Sequence, residues 1–492
     1  MITRLRRLIT TSTSLFFLAL LFSILAFPNP WLNGGIFAWV CWVPLFKFLN
    51  NCPRFYQRFL YAWLFFVLWV LALCWMDPLA YYERYEQPIM IVMLLVFFIG
   101  VPMLFAAVFG MISMLIQRPY HVMLPLSMIL WGGFEWGLAH QPYAFPISLA
   151  LSQSFLPLSL QMVSLLGSTG LSMLILGTNL LLVNAHRHYS YYAWVLLIGL
   201  TVLLFGQFQL SHLPRQIQSQ QPLSLLQPNI SWRQAYHSHE DNYLYQQILH
   251  RLSSYIQQIG PDPSAPVLLL PEYSIADFRA DHPLLGDLLS DHPFPQLILG
   301  TRYQDHNSIV SFMNADIHSV YQKHYFVPGF EDLEPTATLP LSPIPLLPHG
   351  HRLGVFLCFE LLFSDLWSDW VSAGADILAT LSFNTWLGAN NWPRLHMAYL
   401  PLRATQVSRS ACFLNNNGPS IAVNGNGQLI GALPLSTQGH LSVELPIYTR
   451  PSLLIQYPWI RIITIVMFLF ICYFIDVIEF YSNKKITNRS CL

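Results

Sequence analysis

Three side chains in the C-terminal half could together run nucleophilic acyl chemistry: Glu272, Lys323 and Cys358. Cys358 lies in GVFLCFELLF, residues 354 to 363, where an apolar strand-like run gives way to a helix-like one. A thiol at such a junction faces backbone N–H groups and the positive end of a helix dipole, which favour the thiolate and lower its pKa. A free cysteine is equally at home in a packed core. What singles this one out is its company. Glu272 ends the apolar run VLLLPEYS, and Lys323, in YQKHYFVPGFE, is the only lysine between residues 210 and 455. Thiol attack needs a base for the proton and a cation or N–H donors for the tetrahedral oxyanion; Glu272 suits the first role and Lys323 the second.

These residues need a scaffold that brings strand ends together. Apolar runs with turn residues between them recur as LSLLQPN, PVLLLPEYS, QLILGT, SIVSFMNADI, RLGVFLCFE, ADILATLS and ACFLNNNGPSIAVNGNGQLIGAL. Between the first two, Leu244, Ile248, Leu252, Tyr255 and Ile259 share a helix face. Ser238 with Asp241 resembles a capping box at that helix's start, and Gly260-Pro261 stops it. A second helix is expected over Glu360 to Ser372, ended by Gly374. Strands alternating with helices imply a layered α/β domain.

The rest of the chain is of another kind. Of 492 residues only 10% are charged and 54% are apolar, which suits a membrane protein. A span needs about 20 apolar residues to cross roughly 30 Å of hydrocarbon. Eight runs qualify as expected spans, at 8 to 26, 35 to 50, 59 to 76, 89 to 116, 121 to 139, 160 to 183, 191 to 208 and 462 to 480. The fourth is too long to cross upright, so it is expected either to kink or tilt at Gly100 and Pro102 or to lie partly in the interface. The division expected is 1–209 for seven spans, 210–455 for the α/β domain, and 456–492 for the eighth span and a tail.

Orientation follows from basic residues, which stay on the cytoplasmic side in short loops. With an inside N-terminus, Arg4, Arg6, Arg7, Lys47, Arg54, Arg58, Arg118, Arg187, Lys484, Lys485 and Arg489 fall inside, and only Arg84 falls in a short outer loop. Both termini are then cytoplasmic and the 210–455 domain is outside. The first run reads as a retained signal anchor. Glu135, near the outer end of a span, is a functional candidate as an intramembrane carboxylate, although reaching the interface and being solvated explains it as simply. The uncharged loop from His140 to Leu160 is expected to lie on or dip into the outer leaflet. Of seven cysteines, only Cys358 and Cys412 fall in the outer domain; a disulfide between them is the alternative to a working thiol. Zero net charge argues against nucleic acid, and the 17 histidines show no HExxH-type pairing, so no metal or other cofactor is expected.

The order Glu, Lys, Cys, each at the end of a strand-like run, resembles the nitrilase or carbon-nitrogen hydrolase superfamily. With eight spans around such a domain, the chain resembles its membrane-embedded family, the apolipoprotein N-acyltransferases. LLLPEYS resembles the family's Pro-Glu segment; YQKHYFVPGFE resembles its Lys segment, with a second carboxylate at Glu331; and CFE resembles its Cys-aromatic-Glu, at Cys358, Phe359 and Glu360. SFNTWLG resembles the loop carrying Trp386, and His396, Arg403, Arg409 and NNNG at 415 to 418 fall at matching spacings. PGFE transposes the usual Phe-Gly, Gln406 stands where a Glu is usual, and Trp232 follows Asn229 sooner than the family's tryptophan does.

The resemblance implies an eight-helix transmembrane bundle carrying an α-β-β-α sandwich. It also implies transfer of a fatty acyl chain from a phospholipid to the N-terminal amine of a diacylglyceryl-cysteine lipoprotein, at the outer face of a bacterial inner membrane. Glu272, Lys323 and Cys358 would be catalytic, and Glu331, Phe359 and Glu360 would support them. Trp386, Trp232 and Tyr273 would touch substrate, in a monomer with no cofactor. Two rivals use the same sequence: a membrane-anchored amidase in which water resolves the thioester, and an inactive assembly or transport protein that kept the fold.

Overall fold

The computed structural model describes residues 2–74, 92, 95–140, 147–186, 190–260, 265–327, 331, 339–384 and 391–460. Up to His212 the apolar sequence forms helices: Ile2–Ala26, Val43–Asn50, Phe55–Cys74, Val101–Leu115, Tyr120–His140, Val163–Asn184 and Ser190–His212. Of the eight expected spans, part is seen. Among the described residues, five helices are long and apolar enough to cross a bilayer: Phe55–Cys74, Val96–Leu115, Val122–Ala139, Val163–Asn184 and Ser190–Gln216. The run at 35 to 50 is broken into a 3-10 turn, Gly35–Trp39, and a short helix with Pro44 in its first turn. The first run supplies the shorter apolar stretch Thr13–Ala26, and the run at 462 to 480 lies outside the described residues.

Around Pro102 the helix departs from regular α geometry. The proline's missing N–H removes a helical hydrogen bond, and the helix enters it through a π-helical turn, Val96–Gly100. The outer loop departs from expectation. Instead of lying on lipid, Leu149, Ala150 and Leu151 are buried inside the protein in the 3-10 helix Leu149–Gln153. Glu135 is buried beside them and accepts from the Leu149 N–H at 2.8 Å, so it is not a solvated interfacial residue. A carboxyl withdrawn from water requires such donors.

Beyond His212 the chain builds two six-stranded sheets. The first has the order β12-β1-β2-β3-β4-β5, with β1 Ile217–Gln227, β2 Val267–Leu270, β3 Gln296–Tyr303, β4 His306–Met313, β5 Asp316–Gln322 and β12 Gly439–Tyr448. The second runs β11-β10-β9-β8-β7-β6, with β6 Ile344–Pro345, β7 Arg352–Leu357, β8 Ile377–Ser382, β9 Ala411–Asn415, β10 Ser420–Val423 and β11 Leu429–Leu433.

Side-chain alternation divides the first sheet's two faces. Leu223, Leu225, Val267, Leu269, Ile298 and Ile309 share a core with Leu353, Val355 and Leu357 of the second sheet. Their neighbours Leu226, Leu268, Leu270, Leu297 and Leu299 face the helices Asn242–Ile259 and Pro283–Ser290. On the second sheet Phe356 stacks on Trp367 of the helix Ser364–Ser372, and Phe413 meets His396 of the helix Trp392–Val407. The layers are therefore helix, sheet, sheet, helix.

Two helix expectations need adjusting. The helix from Asn242 is capped by Asp241 alone, which accepts from the N–H groups of Tyr243 and Leu244. Ser238 instead ends a preceding short helix, Trp232–His237. The buried stripe is Tyr245, Ile248, Leu249, Leu252 and Ile256, rotated from the expected face. After Cys358 the chain makes a 3-10 segment, Cys358–Leu362, before the α-helix Ser364–Ser372, because Phe363 takes an extended conformation between them.

Candidate functional site

Each of the three candidate residues follows a strand, and the sandwich brings those strand ends together. Glu272 comes two residues after β2, Lys323 directly after β5, and Cys358 directly after β7. The approach of strands is tight: a Cβ added at Gly300 on β3 would lie 2.5 Å from Glu272 Cα, so only glycine leaves room there. Cys358 itself has φ 48°, a left-handed conformation uncommon for a residue with a side chain. That backbone holds the thiol at a sharp turn between strand and 3-10 segment.

Lys323 is the hub. Its Nζ lies 3.2 Å from Glu272 Oε1 and 2.6 Å from Glu331 Oε1, and its side chain is only 1% exposed. Asn307 Nδ2 donates to both carboxylates, at 2.9 Å to Glu272 Oε1 and 3.3 Å to Glu331 Oε1. Glu331 Oε2 accepts from the Val327 N–H at 2.7 Å. Burial acts against the Lys323 charge, but Glu272 and Glu331 overcome it and hold its pKa well above the usual lysine value. Burial raises the Glu272 pKa, with Lys323 opposing and Glu331 reinforcing the shift. A buried carboxyl of raised pKa is a better proton acceptor than a solvated one.

The thiol corrects one expectation. Instead of being lowered, the Cys358 pKa is pushed up to about 12, by burial first and by Glu272 second, while Lys323 and a Ser382 hydrogen bond pull it down. Desolvation outweighs the helix dipole because the following segment is one 3-10 turn. The thiol is therefore a protonated group beside a base. Its Sγ donates to Asn384 Oδ1 at 3.7 Å, and Asn384 in turn contacts Ser382 and His396. His396 Nε2 lies 3.0 Å from the Cys358 carbonyl oxygen, and burial drives its pKa down to about 3, so the ring is neutral and donates there. Cys358 and Cys412 are both free thiols, and Cys412 is buried within β9.

Glu360 ties the Cys358 segment to the Lys323 segment. Its Oε2 accepts from the Leu357 N–H at 2.7 Å; its Oε1 accepts from the His324 N–H at 2.6 Å and the Tyr321 hydroxyl at 2.8 Å. Phe359 is buried and meets Phe363 edge-on, and Phe363 stacks on Tyr325 at 4.1 Å. Tyr273, also at positive φ, turns its ring toward Phe383. Trp386 lies outside the described residues, and Trp232 opens the helix Trp232–His237 without a described side chain. Asn307 was not legible in sequence: one asparagine at the start of a strand carries no pattern, and only pairing with β5 sets it beside Lys323.

The amino-terminal residues 18–181 match the family model of the apolipoprotein N-acyltransferase N-terminal domain. The chain is similar to the apolipoprotein N-acyltransferases. It is 29% identical over 170 residues to the one from Shewanella oneidensis, covering 31% of this chain and 33% of that one. To the one from Vibrio vulnificus it is 25% identical over 287 residues, covering 51% and 55%. The chain thus spans a third to about half the length of these curated relatives in the matched regions. Among solved structures, an amidase of the nitrilase superfamily from Nesterenkonia AN1 is similar with a TM-score of 0.35 and 18% identity, covering 46% of this chain and 91% of that one.

Proposed function

We propose that this chain is an acyltransferase that moves a fatty acyl chain from a phospholipid to the N-terminal amine of a diacylglyceryl-cysteine lipoprotein. The observation that carries the reading is the buried Glu272–Lys323 pair, within electrostatic reach of a protonated Cys358 thiol. Glu272 takes the thiol proton as sulfur attacks the ester carbonyl. The S–C bond forms, the ester C–O bond breaks, and the same proton passes to the departing lysophospholipid oxygen. The acceptor amine then attacks the thioester, Glu272 takes its proton, and the thiol is regenerated. Lys323 and backbone N–H groups oppose the oxyanion in each step. Glu331, Phe359 and Glu360 hold this arrangement, and Trp386, Trp232 and Tyr273 contact substrate.

The membrane half has two tasks in this reading. Burial of an acyl chain gains about 0.8 kcal/mol per methylene against water, but both substrates already reside in lipid, so selectivity comes from head groups and geometry. A thioester in water would hydrolyse, so the chain must be held where water is excluded. Residues 1–209 supply the spans, 210–455 the catalytic domain on the periplasmic face of the inner membrane, and 456–492 a last span and cytoplasmic tail. The enzyme acts as a monomer.

The test is intact mass spectrometry of purified protein incubated with phospholipid, followed by a lipoprotein-like peptide. A fatty acyl mass on Cys358 that hydroxylamine removes, then an amide-linked chain on the peptide, supports transfer. Free acid alone would point to hydrolysis, and no adduct would remove the enzyme reading. Cys358→Ala is expected to abolish the adduct while the protein still inserts and folds.

A further inference from the structure

Resting on that reading, we infer that the helix Trp392–Val407 is a strut that fixes the Cys358 segment against the membrane half, with Asn391 and Arg403 as its positioning residues. Asn391, at the start of the strut, is buried, and its Nδ2 donates to the carbonyls of Pro28 at 2.9 Å and Leu73 at 3.0 Å. Leu73 is in the last turn of the helix Phe55–Cys74, whose oxygens lack intrahelical donors, and Pro28 lies two residues beyond the helix Ile2–Ala26. One amide thus ties the strut to two separate points of the amino-terminal half.

Along the strut, His396, Tyr399 and Arg403 fall at i, i+3 and i+7, on one face. His396 reaches the Cys358 carbonyl at 3.0 Å. Arg403 is buried; its Nη1 donates to Ser168 Oγ at 2.9 Å on the helix Val163–Asn184 and to Gln406 Oε1 at 2.8 Å, and its Nη2 donates to the Leu362 carbonyl. The five-residue segment carrying the nucleophile is therefore gripped at its first and last carbonyls by one helix. That helix is gripped in turn at Pro28, Leu73 and Ser168. Filling this volume would be served as well by an apolar side chain, which avoids the desolvation of a buried cation. What the guanidinium adds is directed donors, one to each half of the protein. The thiol must sit correctly relative to an acyl chain held by the spans, and a displacement of about 1 Å can cost a hundredfold in rate.

The experiment uses the full chain in detergent with phospholipid and a lipoprotein-like peptide, comparing Asn391→Ala, Arg403→Gln and Arg403→Lys with the native protein. It reads kcat and KM for transfer, and separately the rate at which iodoacetamide alkylates Cys358 at pH 9, followed on the peptide that contains it. Asn391→Ala and Arg403→Gln are expected to lower kcat about 10- to 100-fold with little change in KM, and to change the alkylation rate. Arg403→Lys, which keeps a charged donor, recovers most of both. Native kcat and alkylation in Asn391→Ala and Arg403→Gln would overturn the strut, as would a loss confined to thermal stability in which Lys and Gln behave alike. If Arg403→Gln does not fold, Asn391→Ala gives the same reading from the other end. Alkylation that shifts in the variants of a native chain showing no transfer would retire the acyltransferase reading and leave the strut standing.

Discussion

Removing the ammonium from between two carboxylates should be the most damaging single change in the site, and its cost should depend on pH. At an effective dielectric of about 20, a charge pair at 3.2 Å gains about 5 kcal/mol and one at 2.6 Å about 6 kcal/mol before desolvation is subtracted. Truncating one partner of a buried pair leaves a net loss of about 3 to 5 kcal/mol. In Lys323→Met, Glu272 and Glu331 face each other across Asn307 with no cation, and repulsion with burial raises the pKa of one of them. A carboxyl whose folded pKa exceeds its unfolded value holds a native-state proton that the unfolded chain has released. Stability of the variant therefore falls as pH rises from the unfolded carboxyl pKa through the folded one. For a domain of this size the expected fall in Tm is about 6 to 20 °C at pH 8 and smaller at pH 5.5. Adding Glu331→Gln removes one of the two opposed charges and should restore much of that Tm while transfer stays lost. Thermal unfolding in detergent, followed by intrinsic fluorescence, reads both variants. A Lys323→Met protein with native Tm at pH 8, or a double variant no more stable than the single one, would refute the buried cluster.

Three further outcomes follow from the same geometry. A thiol at about 12 rather than 9 should be alkylated about a thousandfold more slowly at pH 8 than in the denatured chain, and the rate should still climb above pH 9; alkylation at the denatured rate would contradict the burial of Cys358. Glu360→Gln forfeits an acceptor of backbone N–H groups from two segments and should cost about 1 to 3 kcal/mol, read as a lower Tm together with faster proteolysis between His324 and Leu362. Gly300→Ala drives a methyl into the Glu272 backbone, and should reduce transfer and lower stability by about 1 to 3 kcal/mol; native activity would mean that the strand end yields freely.

Much of this protein was set by its sequence because the signals are local. Apolar runs bounded by Pro, Gly and Asn mark β1 to β4 and β7 to β11, because strands covered on both faces are apolar throughout, whereas the run SIVSFMNADI crosses the turn between β4 and β5. Glu272, Lys323 and Cys358 at strand ends suggested the chemistry proposed above, because residue type decides what a side chain can do. Other features belong to the tertiary structure alone. Pairing of β3 with β4 and of β4 with β5 carries Asn307 to Glu272 and Lys323, and no local pattern encodes that meeting. The raised thiol pKa follows from burial by distant segments, so a dipole argument from the neighbouring turn gave the wrong sign. Glu135 could be read as solvated at the interface and the Leu149–Gln153 turn as lying on lipid because composition records polarity but not which surface covers it. The same holds for the contacts of Asn391 and Arg403: the sequence offers Arg403 only as a match in spacing and Asn391 not at all, and it is the folded chain that brings the Pro28 and Leu73 carbonyls to Asn391, and the Ser168 hydroxyl and the Leu362 carbonyl to Arg403.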